Sequence, residues 1–357
     1  MQDLYRGMTD ATSNSPMWVG NALIDGTFGP EVLSVAIPEL RSGVWRLLSC
    51  HSTAVRKQRH TRIVFCGMSY RDQGDKRART AQIVAKVYRS DQGSTALDAL
   101  QRLWEAGFRP PARYRVPRPY GYSREHGILV QAVAPGVAWA DFLHGAEQAL
   151  SVASARAAAW LIQLQQSPID AEATGWEGDV VTGHRLVQEL LATFPHHALP
   201  LEPLAARLLG RLPSDGSPPM PSHGDYHPGN VFLTPGLTTV IDLDHFGRRE
   251  AAFDVGYAIG QLLIMSYVRT GALAPGARAA LAFWRRYRHG GQAAWPRVAV
   301  HVARTLLQSL HFELCTLHNN RLELLGAWPA LMQEWLDSDG PTTLEDLIRH
   351  RGSLSLR

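Results

Sequence analysis

The sequence predicts an α+β protein of two lobes: a small antiparallel β-rich lobe, then a larger and mainly helical one. Three observations predict it. Val44–Leu48, Arg62–Met68 and Gln82–Tyr88 are runs rich in β-branched or aromatic residues, with a polar turn over Arg71–Thr80, the pattern of an antiparallel meander. Two further strand-like runs, Val116–Tyr122 and Ile128–Val133, end at the breaker Ala134-Pro135-Gly136. From Val137 onward helical periodicity dominates. The expected division is an N-terminal extension over 1–40, a first lobe over 41–135 and a second lobe over 136–357.

Each element has its own signal. Residues 1–16 are polar and small and are expected to form a mobile tail, and Pro30–Leu40 a short helix that packs on the following lobe. Thr95–Ala106 is amphipathic, with Leu97, Leu100, Leu103 and Trp104 on one face and Gly107 as its stop. Ala140–His144, Gln148–Gln166, Leu186–Phe194 and Leu201–Leu212 read as helices, and the Pro/Gly/Ser-rich Ser214–Pro221 as a loop. Short apolar runs and turn residues alternate over Ser222–Asp244, and helices return after Asp254 to about Leu347.

Composition narrows the function. The net charge of +4 is unevenly spread: Arg41–Arg89 holds twelve Lys/Arg against two Asp, which leaves the rest of the chain net acidic. A local basic region suits nucleotide phosphates as well as nucleic acid. Zinc-finger spacing, a basic zipper and an aromatic RNA-binding signature are all missing, so no nucleic-acid partner is expected. Three widely spaced cysteines, Cys50, Cys66 and Cys315, argue against a disulfide framework and for a reducing compartment. No signal-peptide pattern opens the sequence, and the most apolar stretch, Val255–Met265, is too short to span a bilayer. The expectation is a cytoplasmic protein with no membrane partner; the sequence is silent on oligomeric state.

The strongest motif is His223-Gly224-Asp225-Tyr226-His227-Pro228-Gly229-Asn230, followed by Val231-Phe232, a turn at Pro235-Gly236 and Thr239-Val240-Ile241-Asp242-Leu243-Asp244. A loop presents a carboxylate and a carboxamide five positions apart, and a hairpin returns a second carboxylate at the end of an apolar strand, Thr239–Leu243. Phosphoryl transfer needs these parts: one carboxylate to take the acceptor's proton, and a carboxylate and an amide oxygen to hold Mg²⁺ against a triphosphate.

The pattern H-G-D-x-H-x-x-N followed by VIDLD resembles the aminoglycoside phosphotransferase / choline kinase superfamily, whose fold is protein-kinase-like. Its five fixed positions recur by chance in a chain of this length with odds of roughly one in ten thousand. The resemblance implies that Asp225 is the catalytic base, that His223 and His227 shape its loop, that Asn230 and Asp242 bind Mg²⁺, and that Asp254 braces the loop from a helix start. Asp244 is a candidate for a second metal contact, with helix capping or solvation as its alternatives; His245 reads as surface. Lys86, inside the apolar run Ile83–Tyr88, resembles the strand lysine that pairs the α/β-phosphates. Asp98 or Glu105, on the following helix, is the candidate acid for that lysine, and Asp98 lies nearer the expected turn. A glycine-rich phosphate loop is missing; the basic stretch Ser52–Thr61, with Arg56 in it, either covers the triphosphate or is a solvated hairpin. Leu129–Val133, through the backbone at Gln131 and Val133, would hold the base of ATP or another NTP.

The resemblance therefore implies an ATP- and Mg²⁺-dependent transfer to a hydroxyl of a small molecule: a sugar, amino sugar or amino alcohol. Only eleven residues separate Asp242 from Asp254, too few for the activation segment with which protein kinases dock peptide. Residues 255–335 offer few acids, chiefly Glu313, Glu323 and Glu334, which argues against a polycationic acceptor. His301, Arg304, Gln308, His311, Cys315 and His318 fall near one helical face and read either as packing polars or as an acceptor surface. Two rival functions stay open: a nucleotide-binding pseudokinase without turnover, and a metal-dependent hydrolase using His223, Asp225, His227, Asp242 and Asp244.

Overall fold

The computed structural model describes residues 29–57, 61–88, 91–213 and 216–349. The expected tail over 1–16 lies outside these residues, as do Arg59 and the centre of the basic stretch. The chain forms two compact units. The first takes Met1–Ser94 and Tyr120–Val133, the second Thr95–Pro119 and Ala134–Arg357. The first unit is thus not a continuous segment over 41–135: residues 95–119 leave it.

The first unit is a five-stranded antiparallel sheet in the order β1-β2-β3-β6-β5. Two short helices, α1 (Gly29–Ala36) and α2 (Pro38–Arg41), precede β1 (Trp45–Lys57), β2 (Thr61–Asp72) and β3 (Arg79–Tyr88). β1 and β2 are longer than their apolar runs because they continue into the basic stretch as a hairpin, Arg56 pairing with Ile63, and β3 is longer because Arg79–Ala81 pair with Met68–Tyr70. Alternation gives the sheet two faces. Val64, Cys66, Met68, Ile83, Ala85, Val87, Ile128 and Val130 form a core with Val32, Leu33, Ala36, Ile37 and Leu40. The expected helix near residues 30–40 is therefore a helix pair, broken by Pro38, and part of the first unit's core. Its seat depends on Gly121: a Cβ there would lie 1.9 Å from the carbonyl oxygen of Ala36.

The helix expected at Thr95–Ala106 is α3 (Gln92–Glu105), and most of it belongs to the second unit. The residues just beyond the helix anchor it there. Phe108 is buried against Trp160 with ring centroids 5.5 Å apart. Strand β4 (Tyr114–Arg115) runs parallel to a strand of the second unit, Tyr114 opposite Thr238. The expected strand Val116–Tyr122 is accordingly split: β4 lies before Val116, and β5 (Pro119–Ser123) pairs in the first unit with β6 (Ile128–Ala132).

The second unit opens with β7 (Val137–Ala138), a 3₁₀ helix (Trp139–His144) and α4 (Glu147–Gln165), an Ala-rich helix without Gly or Pro. Then come α5 (Glu177–Thr193), α6 (Pro195–Ala198) and α7 (Leu201–Arg211). Short strands β8 (Met220–Ser222), β9 (Val231–Thr234), β10 (Leu237–Val240) and β11 (Gly247–Arg249) carry the motif region. Helices α8 (Ala252–Thr270), α9 (Ala274–Tyr287), α10 (Trp295–His311), α11 (Leu324–Leu336) and α12 (Thr342–Arg349) complete it. Trp160 stacks on Tyr226 at 5.6 Å and Trp139 on Phe283 at 5.5 Å, an aromatic core between α4 and α9. Among the described residues no helix is long and apolar enough to cross a membrane.

Replacing Gly121 with Ala is expected to unseat the α1–α2 pair and destabilise the protein by roughly 2–4 kcal/mol. Chemical denaturation gives the magnitude. Faster amide exchange confined at first to residues 31–41 gives the location.

Candidate active site

The loop between β8 and β9 carries the His-Gly-Asp motif, and its shape is fixed by a single carboxylate. Asp254, only 1% exposed at the start of α8, accepts hydrogen bonds at Oδ2 from the Ser222 hydroxyl (3.0 Å) and the His223 N–H (2.7 Å). Its Oδ1 accepts the Gly224 N–H (3.0 Å). Gly224 has φ of +81°, and a Cβ there would meet the His245 carbonyl at 2.1 Å, so glycine is required.

His223 is fully buried. Its Nε2–H donates to the Ile241 carbonyl (2.9 Å), and Nδ1 accepts the Asp225 N–H (3.2 Å). Both ring nitrogens are engaged, so His223 shapes the loop and is no metal ligand. His227 accepts the Gly229 N–H at Nδ1 (3.0 Å) and turns Nε2 toward Asp225 Oδ2, 3.6 Å away. Asn230 donates from Nδ2 to the Asp225 carbonyl (3.1 Å) and toward Asp225 Oδ2 (3.4 Å). That leaves the Asn230 amide oxygen as the atom it can offer a hard cation.

The second carboxylate is delivered differently from the expectation. Strand β10 ends at Val240, so Asp242 stands beyond it. Ile241 bridges both ends of the loop: its N–H donates to the Asn230 carbonyl (3.0 Å) and its carbonyl accepts from His223. Asp242 follows with φ of +69°, a left-handed conformation that costs an aspartate roughly 1–2 kcal/mol. Asp244 is half-buried in the turn after it, and His245 is exposed. Among the described residues no three or more His, Cys, Asp and Glu side chains are grouped to hold a metal. A magnesium site of one or two protein oxygens completed by phosphate needs no such group, and the oxygen donors of Asn230 and Asp242 fit one.

Two residues of this site escaped the sequence reading. Tyr226, the variable position of the motif, is wholly buried; its hydroxyl donates to the Ala157 carbonyl (2.8 Å) and its ring stacks on Trp160. Tyr257 lies one helical turn after Asp254. Burial, and then the negative charge of the Asp225 carboxylate, hold its phenol well above the ordinary range. Its only sequence signal was the spacing of three from Asp254, which puts both on neighbouring parts of one helix face.

The first unit gathers the other predicted residues. Arg56, Ile63, Lys86 and Leu129 stand in one cross-strand row, on the sheet face opposite the α1–α2 core. Lys86 is 8% exposed, with Nζ 5.1 Å from the Tyr88 ring centroid. The Arg56 guanidinium lies 5.2 Å from the Phe65 ring on the same face. Gln131 is buried opposite Val84. Val133 donates its N–H to the Gln82 carbonyl (3.1 Å), which removes that donor from any role toward a base. Asp98 is corrected outright: it is exposed on α3 and ion-paired with Arg102 (2.8 Å), one turn along, as i,i+4 spacing favours.

Acids from elsewhere in the second unit pair with the polar face of α10, while His301 Nδ1 and Arg304 Nε stay buried without a hydrogen-bond partner among the described residues. Glu250 takes a forked ion pair from Arg297 (2.8 and 2.5 Å) and a hydrogen bond from His301 Nε2 (2.6 Å). Asp179 pairs with Arg304 (2.8 Å), and Glu189 with His311 (2.5 Å). Burial alone would raise the Glu250 pKa, but the bonds from His301 and Arg297 prevail and bring it from 4.5 down to about 2. Burial, conversely, lowers that of His301.

The model of the phosphotransferase enzyme family (APH) matches residues 69–301. The chain belongs to that family. The family's match spans the lysine strand, the His-Gly-Asp loop and the start of α10. No curated protein matches at a significant level. Solved structures share the fold at low identity. A choline/ethanolamine kinase family protein from Mesorhizobium loti has 13% identity and a TM-score of 0.53, covering 90% of this chain and 98% of its own. Amicoumacin kinase hAmiN, solved with AMP-PNP, Ca²⁺ and Ami, has 14% identity and a TM-score of 0.52, covering 89% and 95%. A thermostable mutant of aminoglycoside phosphotransferase APH(4)-Ia, in a ternary complex with ADP and hygromycin B, has 13% and 0.54, covering 82% and 94%. These likenesses show the protein-kinase-like fold.

A depressed Glu250 pKa makes a signed prediction. The stability it adds, roughly 3 kcal/mol, is present above its unfolded value of 4.5 and is lost as pH falls through about 2. Glu250→Gln is therefore expected to destabilise the protein at pH 7, and the gap to wild type to close on acidification. Urea denaturation from pH 7 to pH 2.5 checks both the size and the direction.

Proposed function

We propose that this protein is an ATP- and Mg²⁺-dependent phosphotransferase that moves the γ-phosphate to a hydroxyl of a small molecule. One observation carries the reading. Asp225 and Asn230 share a loop held at its start by Asp254 and at both ends by Ile241, which hands the chain to a left-handed Asp242.

In this reading Asp225 accepts the proton of the acceptor hydroxyl as that oxygen bonds to the γ-phosphorus and the bond to the ADP leaving oxygen breaks. His227 and Tyr257 face the same carboxylate and fix its orientation. Asn230 and Asp242, with Asp244 as a further candidate, would hold magnesium, which neutralises charge on the phosphates. Lys86 and Arg56 supply positive charge for the triphosphate from one sheet face, with Gln131 and the carbonyl of Val133 near the base.

Small acceptors are favoured by the segment after Asp242. Strand β11 folds straight back on β8, Gly247 opposite Ser222 and Arg249 opposite Met220, and α8 starts at Ala252. No length remains there for a peptide-docking platform. The hydrolase alternative loses its key ligand, because both nitrogens of His223 are engaged by the backbone.

The test is ADP release from Mg²⁺-ATP across amino sugars, neutral sugars, amino alcohols and hydroxy acids. Asp225→Ala is expected to lower acceptor-dependent release by about 10²–10⁴-fold with the fold intact. Lys86→Met is expected to weaken nucleotide binding by about tenfold or more. Mg²⁺-ATP binding without release for any acceptor would replace this reading with a nucleotide-binding module that does not turn over.

A further inference from the structure

A cleft of about 190 Å³ opens in the second unit beside the braced loop, lined among others by Trp176, Asp179, Arg249, Glu250, Phe253 and His301. Its charges are unequal in status. Glu250 is bound by Arg297 and His301, and Asp179 by Arg304. Arg249 has no carboxylate within ion-pair distance among the described residues, and its Nε is buried without a hydrogen-bond partner. Its guanidinium lies 4.4 Å from the centre of the Phe253 ring, and that of Arg304 lies 4.2 Å from the same ring. The strongest charge attraction on it comes from Asp179, which is already ion-paired to Arg304, and a partly buried guanidinium without an ion pair of its own is costly unless an anion completes it.

The cleft is close to the chemistry. Burial lowers the pKa of Arg249, against the charges of Asp179 and of Asp254, the carboxylate that braces the loop. Tyr257 feels the charges of both Asp225 and Arg304. Arg249 and Arg304 thus meet on Phe253, which neighbours Asp254 and lies about one turn before Tyr257 on α8. Trp176, 38% exposed, offers an aromatic edge at the cleft.

We propose that this cleft recognises the carboxylate of the acceptor, through Arg249, so that the substrate class is a small hydroxy acid. The volume admits about six waters' worth of ligand, which suits such a molecule. A monoanion is favoured over a phosphate dianion because Arg249 offers one positive charge, while the other charges of the cleft already hold partners. A polycation is disfavoured because those two acids already hold partners. The substrate role rests on the phosphotransferase reading; carboxylate binding at Arg249 does not.

Matched pairs decide it: glycerate against glycerol, gluconate against glucose, and L-serine against L-serinamide, titrated calorimetrically into the full chain without nucleotide. At least one acid is expected to bind about tenfold or more tightly than its neutral or amide partner, less so at high salt. Arg249→Met should abolish that preference and Arg249→Lys should keep part of it. Equal binding within all three pairs overturns the inference, as does a preference that survives Arg249→Met. Should Arg249→Met fail to fold by circular dichroism, the wild-type comparison still decides. ADP release measured on the same pairs separates the two readings. Acid binding without turnover removes the kinase and keeps the carboxylate site, whereas turnover confined to neutral acceptors keeps the kinase and removes the site.

Discussion

The Asp254 carboxylate is the constraint on which the candidate site depends. Three donors from consecutive residues, the Ser222 hydroxyl and the backbone N–H groups of His223 and Gly224, converge on its two oxygens at 2.7–3.0 Å. Hydrogen bonds to a charged acceptor contribute about 1.5–3 kcal/mol each. Without Asp254 these donors would be orphaned and the turn at Gly224 would have no reason to hold its positive φ. The direction of Asp225 follows from that turn, because its own N–H is fixed to the imidazole of His223.

The second support is Ile241. By donating to Asn230 and accepting from His223 it ties the loop's two ends to the chain that arrives from β10. Asp242 then adopts a left-handed backbone that a straight strand would not give it. The strain is held locally by a site that is otherwise over-determined, which is where such conformations persist. The order of elements is thus mechanical: the loop is clamped first, and Asp242 is aimed by the clamp.

Much of this was legible in the sequence because it is local. The motif residues, the hairpin between them and Asp254 lie within about thirty positions, and their types announce their chemistry. The sheet was legible from alternation. What was hidden depended on partners far apart in sequence. Tyr226 carries no motif signal because its partner is a backbone carbonyl on α4. Asp98 was misassigned because a helix acid near the expected turn also has an arginine four residues on, and on an exposed face the local pair wins. The first unit's boundary was misread because Phe108 and β4 are drawn out of it by Trp160 and β10. The polar face of α10 read equally well as an acceptor surface until Asp179, Glu189 and Glu250 were brought to it.

These pieces meet on the first two turns of α8. Phe253 receives the guanidinium groups of Arg249 and Arg304, Asp254 holds the loop, and Tyr257 reaches Asp225. Gly256 lets α10 lie close enough to bring Arg304 in: a Cβ there would stand 2.4 Å from that of His301. Phe253, Asp254 and Tyr257 sit on one helix, so the ring under Arg249 and the brace of the loop share a rigid element. On the proposed reading, a group bound at Arg249 would be registered against the loop through that element. That registration is the positioning on which a transfer with little covalent work for the protein depends.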